Sequence, residues 1–276
     1  MKVLQSSRLY MLALLTFVIL TAWWVKIQAL GYWIEDEQYF FGIVYGPVMS
    51  GFGGVVGVLA SRRWGGLKSV MGKSLFFLAL GMFAQTWGQT VFSLYNLILR
   101  VEVPYPSLAD VGYFGAIPLY IVGISFLAKA AGVRFGLKSA GSWFMAIAVP
   151  LGLLVVGYVL FLKNYTVDLV SPLTTFLDFG YPLGQALYVS IALMTFGMSR
   201  KFLGGVMRVK ILAILLALVV QFFADYTFLY QSLNGLWVNG GFGDYLYLAA
   251  YFLMTLGLIG LFNSVSQIRN TAYGRA

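Results

Sequence analysis

The sequence predicts an all-α fold: a polytopic membrane helix bundle of eight transmembrane helices, arranged as two parallel four-helix repeats. Apolar residues make up 61% of the chain and charged residues only 10%, whereas a soluble domain carries about 25% charged residues. Basic and acidic connections alternate along the chain. Eight apolar runs reach the roughly 20 residues that a membrane-spanning helix needs. They are residues 9–31, 38–60, 74–97, 109–130, 141–163, 172–198, 209–232 and 244–265.

The first run follows Lys2 and Arg8, as the apolar part of a signal peptide would. It is longer than such a segment and lacks a clear cleavage site with small residues, so we expect a retained membrane helix. The other seven runs follow with only short connections between them. They take up most of the chain and leave no room for a soluble domain.

Lys and Arg concentrate at the N-terminus, in the connections after the second, fourth and sixth runs, and in the tail. Short cytoplasmic loops carry such an excess, so we predict a plasma-membrane protein with both termini in the cytoplasm. The net charge of +9 then reflects this rule and contact with anionic membrane lipids, and we predict no nucleic-acid partner. The basic residues are Lys2, Arg8, Arg62, Arg63, Lys68, Lys73, Lys129, Arg134, Lys138, Arg200, Lys201, Arg208, Lys210, Arg269 and Arg275, while Lys26, Arg100 and Lys163 fall singly on the acidic side.

The chain has no Cys and no His. This excludes disulfides, thiolate chemistry and imidazole ligation of haem or zinc. Any metal ion would need an all-oxygen site. We predict neither a cofactor nor a metal site.

Four sequence landmarks recur in the same order in the two halves, which predicts a duplication with repeats at residues 1–136 and 137–276. Because each unit has an even number of helices, the repeats would be parallel, and binding sites in such folds tend to lie between them. The last landmark keeps thirteen residues from Asp to Gly in both copies. The pairs are Tyr45-Gly46-Pro47 with Tyr181-Pro182, Ser61-Arg62-Arg63 with Ser199-Arg200-Lys201, Phe83-Ala84-Gln85 with Phe223-Ala224-Asp225, and Asp110, Tyr113 and Gly123 with Asp244, Tyr247 and Gly257.

Asp178 and Asp225 lie inside the sixth and seventh runs. A carboxylate at membrane depth is costly, so it usually faces the bundle interior or a wet cavity. At a rise of 1.5 Å per residue, the two lie about 9 and 10 Å below the outer surface. We predict that they share an outward-facing cavity that binds a ligand. Asp110 and Asp244 begin the fourth and eighth runs, where helix capping explains a carboxylate as well as ligand binding does.

Other polar and aromatic side chains are expected to line this cavity. The set is Gln85, Gln89, Tyr45, Tyr181, Tyr226 and Trp87, with Trp87 as a floor. An acidic and aromatic cavity suits a small cation, an amine or an aromatic ligand arriving from outside. The alternative is that these groups only hydrogen-bond one helix to another, or that the two carboxylates share a proton.

The segment Pro104-Tyr-Pro-Ser107-Leu-Ala-Asp110 resembles a motif in the N-terminal membrane input region of bacterial sensor proteins such as membrane-bound diguanylate cyclases and histidine kinases. Ala224-Asp225-Tyr226 and Gly240 to Asp244 are similar to the second half of that region. The resemblance implies an eight-helix input module for signal transduction. This chain ends soon after the eighth run, without an output domain, so we expect a cytoplasmic or membrane protein partner to carry the signal.

Three alternatives to such a sensor remain open. Repeats and buried acids also fit a small-solute or ion-coupled transporter, and a loop-poor bundle fits an accessory subunit of a membrane complex. An enzyme is disfavoured. Gly241-Phe-Gly243-Asp244 matches the Gly-x-Gly-Asp of intramembrane aspartyl proteases, with Asp225 as second acid, but these glycines lie in a turn-like loop where Gly needs no catalytic reason. We predict no catalytic residue.

Overall fold

The computed structural model describes residues 2–132, 140–162, 171–199 and 207–273. Within these ranges the chain is helical and contains no strand, as predicted. The eight α-helices are α1 Lys2–Leu30, α2 Glu37–Arg63, α3 Val70–Leu94, α4 Leu108–Ala130, α5 Ala140–Gly157, α6 Pro172–Ser199, α7 Arg208–Leu233 and α8 Phe242–Tyr273. The predicted repeat boundary at 136/137, and the predictions for Arg134, Lys138, Lys163, Arg200, Lys201 and Arg275, lie outside the described residues.

Six of the described helices are long and apolar enough to cross a membrane, as expected for a multi-pass membrane protein. These spans are Arg8–Leu30, Glu37–Arg63, Val70–Leu99, Leu108–Ala130, Arg208–Ser232 and Phe242–Val265. A shorter apolar stretch, Ile147–Leu160, lies in α5 and the turn after it. Helix α6 is not among the six, because Asp178, Gln185 and its hydroxyl residues lower its mean hydropathy. The count of eight spans therefore stays a prediction.

Six helices form a closed ring in the order α2, α3, α4, α6, α7 and α8, with α8 packing back on α2. Helix α1 lies outside the ring against α8 and α2, and α5 lies outside it against α6. The outward side of α1 is rich in exposed Leu, Ile and Val, as expected for contact with lipid. Residues on the inner faces of the six ring helices therefore converge on one interior.

The closest helix contact in the ring joins α3 and α4. A Cβ added at Gly112 would lie 2.5 Å from the carbonyl oxygen of Ala84 and 2.5 Å from the amide nitrogen of Gly88. A Cβ at Gly88 would in turn meet the ring of Tyr113 at 2.6 Å. Glycine allows this backbone approach, which places Tyr113 against α3 and directs it into the ring.

An ion pair holds the connection between α1 and α2. Glu37 is only 5% exposed, and it accepts hydrogen bonds from the Lys26 ammonium at 2.5 Å, the Trp33 backbone N–H at 2.7 Å and the Trp23 indole at 2.9 Å. Lys26 also lies 3.8 Å from the centre of the Trp33 ring. Lys26, one of the three basic residues on the predicted acidic side, is therefore the partner of a buried carboxylate.

Helix α1 also holds the connection that precedes α8. The Trp24 indole donates to the Gly241 carbonyl at 3.1 Å, and the Gln28 amide donates to the Gly240 carbonyl at 2.8 Å. These bonds fix the backbone immediately before Asp244.

Candidate functional site

Two tyrosine–aspartate pairs link helices from different halves of the sequence. The Tyr45 hydroxyl on α2 donates to Asp244 Oδ1 on α8 at 2.6 Å. The Tyr181 hydroxyl on α6 donates to Asp110 Oδ1 on α4 at 2.7 Å. These four residues occupy the landmark positions that predicted a duplication, and each pair joins one half of the chain to the other.

Each of these carboxylates also caps its own helix. Asp244 Oδ2 accepts the Gly240 N–H at 2.6 Å, and Asp110 Oδ2 accepts the Ser107 N–H at 2.8 Å. Ser107 and Asp110 together form a capping box at the start of α4. The positive end of a helix favours an anion there. Asp110 and Asp244 thus have a capping role and an interhelical role at the same time.

Asp225 on α7 is held by three neutral donors. Its Oδ1 accepts the Tyr247 hydroxyl of α8 at 2.9 Å and the Gln221 amide of α7 at 3.1 Å. Its Oδ2 accepts the Tyr188 hydroxyl of α6 at 3.1 Å. No ion pair involves Asp225 among the residues that the structure describes.

Asp225 points toward the interior of the ring. Phe223 and Leu216 mark the outer face of α7, being 56% and 51% exposed. Because each residue turns an α-helix by about 100°, Asp225 lies about 200° from Phe223. Its three donors are almost fully buried, yet Asp225 itself retains accessible surface. That this surface opens on a hollow between the helices stays a prediction.

Further polar groups meet across the ring. The Tyr251 hydroxyl on α8 donates to Gln85 Oε1 on α3 at 3.0 Å and also interacts with Gln89. The Tyr113 hydroxyl lies within electrostatic range of Asp110, Asp225 and Asp244. Three of the four predicted carboxylates therefore act on one tyrosine of α4, and Gln85 and Gln89 belong to the same interior network.

Asp178 lies apart from these bonds. Its Oδ1 accepts the hydroxyl of Tyr105, an exposed residue in the connection before α4, at 2.8 Å. Asp178 therefore contacts an outer loop, whereas Asp225 is bound by residues of α6, α7 and α8. That the two carboxylates share one hollow stays a prediction.

The remaining two predicted residues have different surroundings. Trp87 is 53% exposed, its indole donates to the Leu108 carbonyl at 3.2 Å, and it lies about 200° around α3 from Gln85. It is thus on the outer face of α3 and does not floor the interior. Tyr226 is buried and packs against Phe222, with its hydroxyl 2.9 Å from the position of a Cβ added at Gly157. It faces α5.

The sequence prediction left several residues of this network out of the site, among them Tyr247, which donates to Asp225. Tyr188 and Tyr251 donate to Asp225 and Gln85, and Gln185 is a buried amide on α6. Helical spacing could have identified the two residues on α6, because Gln185 lies seven residues after Asp178 and Tyr188 lies seven residues after Tyr181. A spacing of seven returns to nearly the same helix face.

Elsewhere, a cavity of about 350 Å³ lies between the end of α1 and the α7–α8 connection, lined by Ile27, Gln28, Tyr32, Gln231 and Phe242 among others. It includes none of the predicted site residues. The described parts of the chain contain no group of three or more His, Cys, Asp or Glu residues that could hold a metal ion.

No protein-family model, no curated protein and no solved structure matches this chain.

Proposed function

We propose that this chain is a plasma-membrane sensor of the receptor type that binds a small cationic ligand from outside in the interior hollow at Asp225. The observation that carries the proposal is a carboxylate on the inner face of a membrane helix whose hydrogen bonds, among the residues that the structure describes, come only from neutral groups. Such donors stabilise the anion, but they do not compensate its charge. A bound cation does so, and it removes the main cost of a carboxylate at this depth.

A monovalent ion or an amine fits this site better than a divalent metal ion. Ca²⁺ takes six to eight oxygen ligands, usually with several carboxylates. The described residues hold no such carboxylate group. The phenol rings of Tyr188 and Tyr247, which border Asp225, add faces that attract organic cations.

The proposed architecture has eight spans in two parallel repeats, with both termini in the cytoplasm. The two tyrosine–aspartate pairs support it, because exchanging the two halves exchanges one pair for the other. The helix contacts α2–α8 and α6–α4 exchange in the same way. Asp225 and its counterpart Gln85 break this symmetry, so the charged site belongs to the second half alone.

Signalling would follow from unequal binding to two arrangements of the halves. A ligand shifts an equilibrium only if it binds one state better than the other. Asp225 draws on α6, α7 and α8, while the tyrosine–aspartate pairs join α6 to α4 and α8 to α2. A cation that reorients Tyr188 or Tyr247 would therefore alter the α6–α4 and α8–α2 contacts, which join the two halves. The output partner would dock on the basic cytoplasmic connections.

The test is thermal unfolding of the purified protein against a panel of alkali ions and small amines. We expect at least one cation to raise Tm with concentration, because a ligand at 100 times its Kd stabilises by about 2.7 kcal/mol. The effect should vanish in Asp225→Asn. It should persist in Asp36→Asn, a matched control that removes a carboxylate paired with Arg100 at the outer surface. Equal stabilisation of wild type and Asp225→Asn would refute the proposed site.

The second candidate is an ion-coupled transporter, because internal repeats and a carboxylate inside the helix bundle also occur in that class. Uptake of the stabilising cation into proteoliposomes separates the two functions. Net uptake that is lost in Asp225→Asn would assign a carrier. Saturable binding without uptake would favour the sensor.

A further inference from the structure

Helix α6 carries a polar stripe on the side opposite its exposed face. Asp178 and Gln185 are seven residues apart, as are Tyr181 and Tyr188. The exposed face of this helix lies elsewhere and is marked by Phe176, Leu183 and Leu187. Gln185 lies about 200° from Leu183 and from Leu187, so its amide points away from the exposed face.

Gln185 carries an acceptor with nothing bonded to it. The residue is 2% exposed, and within the described part of the chain no hydrogen-bond donor reaches its Oε1. A buried acceptor left unbonded is costly, and in native proteins such an atom calls for a partner. Gln185 lies between Tyr181 and Tyr188, the two tyrosines that donate to Asp110 and Asp225.

The amide is therefore close to the charged site. Gln185 precedes Tyr188 by three residues, which is about 4.5 Å along the helix axis, and Tyr188 donates directly to Asp225. The unpartnered carbonyl oxygen on α6 thus lies within one helical turn of Tyr188, the residue of α6 that donates to the uncompensated carboxylate on α7. One ligand with both a positive charge and N–H donors would satisfy the two groups together.

We propose that the ligand is a protonated primary amine whose ammonium group donates one hydrogen bond to Asp225 and another to Gln185 Oε1. An ammonium carries three N–H donors and no acceptor. It therefore matches a site in which the described residues offer two acceptors and no cationic side chain. A quaternary ammonium has the same charge without the donors, and an alkali ion has no directional preference for the amide. This inference rests on the proposed function, because Asp225 must be the cation site.

The experiment compares three cationic probes. Benzylammonium and benzyltrimethylammonium share the ring and the charge but differ in N–H donors and in the size of the head group, and Na⁺ supplies the charge alone. Calorimetric titration of the intact protein in detergent gives Kd for each probe. We expect benzylammonium to bind at least about tenfold more tightly than benzyltrimethylammonium, the factor for one hydrogen bond to a charged group.

Two variants of Gln185 test the role of the amide. Gln185→Leu should abolish the preference for benzylammonium by weakening that probe about tenfold while leaving benzyltrimethylammonium unchanged. Gln185→Glu provides a second reading if the leucine variant fails to fold. It adds a carboxylate beside the ammonium, and it should tighten benzylammonium more than benzyltrimethylammonium. Asp225→Asn should weaken all three probes.

The outcomes separate this inference from the proposed function. If all probes depend on Asp225 but the preference between the two benzyl cations is absent or unaffected at Gln185, the amine assignment is wrong and the cation site stands. If benzylammonium does not bind the wild type, the amine assignment is also wrong. If the probes bind equally well to Asp225→Asn, both proposals fail.

Discussion

Removing one hydroxyl at Tyr45 should uncouple α2 from α8. Tyr45 is fully buried and donates to Asp244 at 2.6 Å. Tyr45→Phe keeps the ring that stacks on Phe41 at 5.0 Å between centroids, so no large cavity forms. The loss is one hydrogen bond to a carboxylate that retains the Gly240 N–H.

Two ranges of hydrogen-bond energy bracket the expected loss of stability. A hydrogen bond to a charged group contributes about 1.5–3 kcal/mol in soluble proteins. Interhelical hydrogen bonds in membranes average about 0.6 kcal/mol and reach about 1.7. Because this bond is short, fully buried and made to a carboxylate, we expect a value near the upper membrane limit, about 1–2 kcal/mol.

A double-mutant cycle with Asp244→Asn measures this interaction by reversible unfolding in mixed micelles. The cycle of Tyr181→Phe with Asp110→Asn should give a similar coupling, since its geometry is the same. Tyr230→Phe is the control, because Tyr230 is exposed near the end of α7. Coupling below about 0.3 kcal/mol at both pairs would be within the scatter of independent sites and would refute the claim that these pairs join the halves.

Two further predictions concern the packing that supports the ring. Gly112→Ala should destabilise the fold by about 1–3 kcal/mol through overpacking against α3, whereas Gly115→Ala, with open space at its Cβ, should be neutral in the same unfolding assay. Glu37→Gln or Lys26→Met alone should cost about 1–3 kcal/mol by leaving a partly buried charge unpaired. The double variant should be more stable than either single one, and additive losses would contradict this.

Apolar run lengths predicted the helices well, because hydrophobic segments of this length have few alternatives to a helix in a membrane. Runs two, four and eight begin within two residues of the first residues of α2, α4 and α8. The fifth and sixth runs are less clear. α5 contains Pro150 and ends at Gly157 in a π-helical turn, and the polar stripe of α6 lowers its hydropathy. A hydropathy window averages over both faces and cannot separate a polar interior stripe from a poor span.

Residue type and depth predicted Asp178 and Asp225 as interior carboxylates. The structure gives Asp225 donors from α6, α7 and α8, and gives Asp178 a donor in the connection before α4. The duplication landmarks placed Tyr45 and Tyr181 at equivalent positions. The partners of these groups were harder to predict. Hydrogen bonds between helices depend on which helices are neighbours. A hydropathy profile does not give the order of the helices around the ring. Trp87 shows the same limit, since its side chain lies on the outer face of α3 despite being two residues from Gln85.

The most direct test of the interior hollow uses the absence of cysteine from the chain. Asp225→Cys and Phe223→Cys place a single thiol at nearly the same depth on opposite faces of α7. A cationic, membrane-impermeant methanethiosulfonate added from outside reacts only with a thiol that water reaches. We expect rapid modification of Asp225→Cys and none of Phe223→Cys. An unreactive Asp225→Cys in a folded protein, or equal modification of the two variants, would contradict it.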